Sequence, residues 1–238
     1  MSPSHLLLAT RNAHKQREFA ALFQDALPGA MSIVSLDHWP SPLSEVEEDA
    51  ETFEGNALKK ALETSHAAKV SVMAEDSGLV VDALGGAPGV RSARYAAPDA
   101  TTPQNNAKLA RELGRLGDGP FAAHFVSVIA LALCRDEVGQ SVLNAMGFTW
   151  DELEQGPPSE PATPTRHEGR ALLWVRGELR GHVRARPQGD QGFGYDPHFY
   201  VPSQDATLAQ LSMAHKNAIS HRAQALGALR ALFDGPPR

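Results

Sequence analysis

The segment Phe121–Leu133 (FAAHFVSVIALAL) constrains the fold more than any other stretch, because only His124 and Ser127 interrupt it with polar side chains. A run this apolar, partly β-branched and bounded by Gly119-Pro120 and Arg135-Asp136, predicts a strand buried on both faces at the centre of a sheet. Shorter strand candidates lie at Leu6–Ala9, Val70–Ala74, Leu79–Val81, Ala171–Val175 and Gly181–Ala185, with a partner strand near Ser141–Ala145 after a turn at Asp136–Gly139. The last two of the short strands flank an expected turn at Gly177–Gly181. Helical spacing places Phe19, Leu22, Phe23, Ala26 and Leu27 on one face up to a stop at Pro28-Gly29. A second helix starts at the N-cap Thr52, a third spans 104–116, and a last one carries Ile219, Ala223, Leu226, Leu229 and Phe233 to a stop at Asp234–Pro237. Early alternation of strands and helices around a β-rich middle predicts an α/β fold with a mixed sheet.

A chain of 238 residues suits one sizeable domain or two lobes sharing a core. Its one cysteine, Cys134, excludes an intramolecular disulfide and fits a reducing compartment; its apolar context makes it a core residue rather than a nucleophile. A net charge of −6 argues against a general nucleic-acid-binding surface, yet leaves room for a small polyanion held by a local cluster. Leu6–Ala9 is too short for a signal sequence and no apolar stretch is long enough to span a membrane, so a cytoplasmic protein is expected. Residues 147–169 are Pro-rich, acidic and aperiodic, and read as an exposed excursion.

Chemistry concentrates in a few places. Thr10-Arg11-Asn12-Ala13-His14-Lys15 lies between a strand and a helix start, where free N–H groups favour a phosphate, although a purely structural loop accounts for it too. The acidic run Glu45–Asp49 has an ordinary reading as a solvated helix start. Glu75-Asp76 beside a buried strand is harder to explain without a cation or proton, and one or two carboxylates plus phosphates are what Mg²⁺ takes. Gly192-Phe193-Gly194-Tyr195-Asp196-Pro197 is either a plain turn with core aromatics or a close-approach loop with a stacking face. Lys216, His221 and Arg222 crowd the start of the last helix, against its dipole, so an anion there would compensate. Ser220-His221 is no nucleophile–base pair, since neighbours on a helix do not face each other, and no HExxH or Cys/His spacing suggests zinc.

Taken together, Thr10-x-Asn12-x-x-Lys15-x-x-Glu18, Thr52-Phe53-x-x-Asn56-Ala57, Asp76-Ser77-Gly78-Leu79, Gly85-Gly86-Ala87-Pro88-Gly89, Ser92-Ala93-Arg94-Tyr95, Gly192–Pro197 with Phe199, and Lys216-x-x-x-Ser220-His221-Arg222 resemble the inosine/xanthosine triphosphate pyrophosphatase family in order and spacing over nearly the whole chain. The resemblance implies one two-lobed α/β domain over 1–238, a long mixed sheet with flanking helices, and a substrate cleft between the lobes. It further implies a homodimer that uses Mg²⁺ to hydrolyse ITP, dITP and XTP to monophosphate and pyrophosphate. Asp76 would be the catalytic carboxylate and, with Glu47, a metal ligand; Ala50, where Gly is common, leaves Glu48 open in place of Glu47. Thr10, Asn12 and Lys15 would hold phosphates, Ser77 would touch substrate, Phe193, Gly194, Tyr195 and Asp196 would hold base or sugar, and Lys216, His221 and Arg222 would complete recognition. The stretch 147–169 has the look of an insertion. A septum-associated pyrophosphatase for modified pyrimidine nucleotides and a non-catalytic nucleotide sensor are the competing functions.

Overall fold

Alternation of short apolar runs with amphipathic segments produces eight strands and six helices among the residues that a computed structural model describes, 5–22 and 32–234. In chain order these are β1 (His5–Leu8), α1 (Ala13–Leu22), β2 (Ser32–Ser35), α2 (Phe53–Ala68), β3 (Val72–Val81), α3 (Thr102–Leu116), β4 (Phe121–Leu133), α4 (Glu137–Ala145), β5 (Thr165–His167), β6 (Arg170–Val183), β7 (Phe199–Val201), β8 (Ala206–Thr207), α5 (Met213–Ile219) and α6 (His221–Phe233). The strands form one mixed sheet in the order β2-β1-β3-β4-β6-β7-β8, with β5 paired to β6. β1 runs parallel to β2 and β3, whereas β6 pairs antiparallel with β5 and β7, and β7 with β8. The apolar run at 121–133 is the middle strand of that order, and Val126 and 128–133 are almost wholly buried.

Four elements differ from the sequence-based expectation. β3 is one strand straight through Glu75-Asp76-Ser77-Gly78, not two strands around a turn. Gly78 permits this: a Cβ there would lie 2.4 Å from Ser92 Oγ and 2.5 Å from Gly89 O, so the segment after the strand packs directly on its backbone. Likewise β6 runs unbroken through Gly177–Gly181, because at Gly181 the carbonyl of Tyr200 would stand 2.4 Å from a Cβ. The expected strand at Ser141–Ala145 is part of α4, capped by Asp136, whose Oδ1 accepts from Gly139 N–H at 2.8 Å, with Val138, Val142 and Leu143 turned inward. Finally, Lys216 does not open the last helix. α5 ends at Ser220, which is extended (φ −63°, ψ 156°), and α6 begins at His221.

Phe23, Ala26, Leu27 and the Pro28-Gly29 stop lie outside the described residues, as do Gly235-Pro236-Pro237. Within 147–169, Trp150 and Leu153 are buried and β5 pairs with β6, so this stretch is anchored at both ends. Among the described residues no helix is long and apolar enough to cross a membrane.

Two compact units divide the chain. The first comprises residues to Asp76, Val128–Gly177 and those from Ala225 on; the second comprises Ser77–Ser127 and Glu178–Gln224. The first has a core of Leu6, Leu8, Phe19, Met73, Ile129, Leu131, Val142, Leu173 and Leu226 among others. That of the second includes Leu79, Leu109, Leu113, Phe125, Tyr195, Phe199 and Leu208. Cys134 is a buried free thiol near Ser65, and its backbone N–H donates to Ser71 Oγ at 2.9 Å.

Candidate active site

In the first unit the chemistry gathers around Asp76. A strand buried on both sides leaves little water for a carboxylate, and Asp76 is only 4% exposed. Its Oδ2 accepts from Asn56 Nδ2 at 3.1 Å. Burial pushes its carboxyl up to about 6; the Lys15 charge opposes this, Glu48 adds to it, Lys60 opposes it, and Glu75 adds to it. Such a carboxyl exchanges its proton near neutral pH, as a general base should.

Each of those neighbours is held in place. Lys15 Nζ pairs with Glu75 Oε2 at 2.7 Å. Lys60 pairs with Glu48 and donates to the Glu75 carbonyl at 3.1 Å. Asn56 Oδ1 accepts from Ala50 N–H at 2.9 Å, so one fully buried amide ties the acidic segment to Asp76. The helix makes this possible: Thr52 caps α2 by accepting from Gly55 N–H, and Asn56 and Lys60, one turn apart, share a face. Glu48 is the half-buried carboxylate that acts on Asp76, whereas Glu47 is exposed and acts on Lys59.

The loop after β1 is built as a helix start. Asn12 Oδ1 accepts from the N–H groups of His14 (2.9 Å) and Lys15 (3.2 Å), and Thr10 Oγ1 accepts from Asn12 N–H at 3.2 Å. Asn12 therefore spends its acceptor on α1 and keeps only its amide N–H groups for a ligand.

In the second unit, a buried polar group surrounds Phe193. Asp196 Oδ2 accepts from Lys216 Nζ at 2.7 Å and from Phe193 N–H at 2.9 Å, and Asp196 and Lys216 are both nearly inaccessible to water. Lys216 Nζ lies 4.4 Å from the centre of the Phe193 ring and the Arg222 guanidinium lies 5.3 Å from it, a doubly cationic aromatic platform. Arg222 Nη2 donates to Ser77 Oγ at 2.8 Å, and His221 stacks on Phe125 at 4.8 Å with rings 12° from parallel. Tyr195 OH donates to Ser92 O at 2.8 Å, and burial pushes the phenol up. Gly192 is at φ 76°, and a Cβ there would stand 2.2 Å from Asp196 Oδ2.

The structure thus brings Lys15, Glu48 and Asp76 together in the first unit, with Glu47 exposed, and brings Ser77, Phe193, Asp196, Lys216 and Arg222 together in the second. It adds Asn56 and Lys60, for which the sequence carried one signal: a polar pair at helical spacing behind a cap. Among the described residues no three His, Cys, Asp or Glu side chains are grouped to hold a metal alone. The donor set still fits Mg²⁺, which takes one or two hard carboxylates and completes its shell from phosphates and water; Asp76 and Glu48 are such groups.

The model of the Ham1 family matches residues 6–153 and 162–232. The dITP/XTP pyrophosphatase of Geobacter sulfurreducens is 40% identical over 227 residues, covering 95% of this chain and 95% of that protein. A protein of the same name in Bordetella pertussis is 42% identical over 227 residues, covering 94% of this chain and 88% of its own length. Among solved structures, a HAM1 protein from Coxiella burnetii aligns with a TM-score of 0.73 at 32% identity, covering 97% of this chain and 98% of its own. The Ham1 protein of Staphylococcus aureus aligns at 0.71 and 31% identity, covering 97% and 98%.

Proposed function

The chain belongs to the Ham1 family, and from that premise we propose that it hydrolyses deaminated purine nucleoside triphosphates (ITP, dITP and XTP) to the monophosphate and pyrophosphate, with Asp76 as the catalytic carboxylate. The observation that carries the reading is the buried Asp76 carboxyl, raised to about 6, clamped by Asn56 and surrounded by Lys15, Lys60 and Glu48. Asp76 accepts the proton of the attacking water. Lys15 and Lys60 favour the negative charge that develops on the leaving pyrophosphate. The helix start at Thr10–Lys15 offers N–H donors to phosphate oxygens. Mg²⁺, held by Asp76 with Glu48 or Glu47, supplies neutralising charge to the phosphates when bound.

Phe193 provides the face on which the base stacks, with Gly194, Tyr195 and Asp196 shaping its turn and Lys216 beneath it. Hypoxanthine and xanthine carry a 6-oxo acceptor where adenine carries an amino donor. Arg222 and His221 are the donors that match the oxo group, and a site built on donors rejects a base that leaves them unpaired. The enzyme acts as a cytoplasmic homodimer, a state that light scattering checks.

Pyrophosphate release from ITP, XTP, dITP, GTP, ATP and dTTP, with Mg²⁺ and with chelator, tests the assignment. Preference for the three deaminated purines is expected. Equal rates on ATP and ITP refute the substrate class, preference for dTTP points to a pyrimidine enzyme, and no turnover on any leaves a nucleotide sensor.

A further inference from the structure

Resting on that reading, we propose that Asn106 is a positioning residue that fixes the Phe193 platform from outside the site. Phe193 stands between two glycines at positive φ, Gly192 at 76° and Gly194 at 64°. Glycines stiffen a turn least of all residues, so its shape depends on what grips it. One grip is Asp196, through Phe193 N–H. A second, from a different element, is Asn106 on α3, whose Nδ2 donates to the Gly194 carbonyl at 3.0 Å across 88 residues of sequence. α3 is a firm base for this contact. Its Asn105 bonds Ala96 N–H at 2.8 Å and Ala93 O at 2.9 Å, and Lys108 donates to Tyr95 O at 2.7 Å.

The other end of the same amide supplies an independent argument. Asn106 Oδ1 is buried and makes no hydrogen bond among the described residues. A buried acceptor without a donor destabilises a fold, and leucine, of nearly the same shape, would avoid it. A residue that breaks a folding rule without a structural return marks a functional position. The amide serves the turn more than it serves the core.

Asn106→Leu removes the donor and the stranded acceptor together, which separates positioning from support. The dissociation constant of inosine monophosphate, read by calorimetry, should rise roughly three- to tenfold, the scale of one lost hydrogen bond. KM for ITP should rise in parallel, with kcat within about twofold. The inhibition constant of inorganic tripolyphosphate, which has no base, should stay put, and the urea midpoint should hold or rise. An unchanged inosine monophosphate affinity overturns the proposal; so does a tripolyphosphate constant that rises alongside it. Asn106→Ala carries the same binding expectations should the leucine variant fail to fold. A wild-type protein inert toward ITP would refute the preceding assignment, whereas an active wild type whose Asn106→Leu variant binds the monophosphate normally refutes this inference alone.

Discussion

Asp76 holds its proton more tightly when folded than when unfolded, its carboxyl moving from 3.8 to about 6. The sign follows directly: the folded state binds more protons between those values, so stability falls as pH rises from 3.8 through about 6 and the loss is complete above that. Asp76→Asn, which keeps an oxygen for Asn56 and carries no charge, should therefore stabilise the metal-free protein at pH 7.5 by on the order of 2–3 kcal/mol. The same change should lower kcat by roughly 10²–10⁴. Urea melts and turnover measured on one preparation check both; a less stable variant would contradict the burial argument. Asp76 itself was legible in the sequence, because adjacent carboxylates beside an apolar run are costly wherever they fold. Asn56 stood in the sequence only as a motif position and Lys60 only as its partner at helical spacing, since the role of each depends on which face of α2 meets β3. Glu47 and Glu48 are adjacent in a segment without regular structure, so spacing alone does not indicate that Glu48 is the less exposed of the two.

Elements were read well where periodicity was unbroken and poorly where glycine intervened. β4, α2 and α3 follow from apolar spacing and caps, whereas β3 and β6 were each cut in two at glycines that in fact admit a neighbouring backbone. α4 carried a helix signature, Asp136 followed by Val138, Val142 and Leu143, that a strand-to-strand reading obscured. The division between α5 and α6 matters most for the site. It puts Lys216 in the last turn of α5, where a cation suits the helix dipole, and leaves His221 and Arg222 in the first turn of α6. Ser220 makes that division, its Oγ accepting from Ala223 N–H at 3.1 Å. Ser220→Ala should cost about 1 kcal/mol, the usual value of an N-cap, and should raise KM for ITP through the altered start of α6. A thermal melt paired with steady-state kinetics would read both, and a wild-type KM would separate the cap from the site.

For the molecule as a whole, a charge of −6 coexists with a proposed polyanionic substrate because cations gather locally within each unit, Lys15 with Lys60 around Asp76 in the first and Lys216 with Arg222 around Phe193 in the second. The eight-stranded mixed sheet and its flanking helices were legible as a class from alternation alone, but the strand order was not, because pairing between distant segments leaves no local trace. Apolar side chains build both cores, and among the described residues no preassembled three-ligand metal group is present. Chelation should consequently abolish turnover and leave the unfolding midpoint unchanged; circular dichroism melts with and without chelator decide this, and a large drop in midpoint would mean that a metal holds the fold. The family match leaves 154–161 unmatched, within the Pro-rich stretch.

The first core has a consequence for how the chain folds. Leu6 and Leu8 pack in the same cluster as Ala225, Leu226 and Leu229, so this core joins segments that are far apart in the sequence. The second unit is assembled from the two nearer segments Ser77–Ser127 and Glu178–Gln224. Contacts between such distant segments as those of the first core are costly to close, so the unit that carries Asp76 depends on the far end of α6 to complete its core.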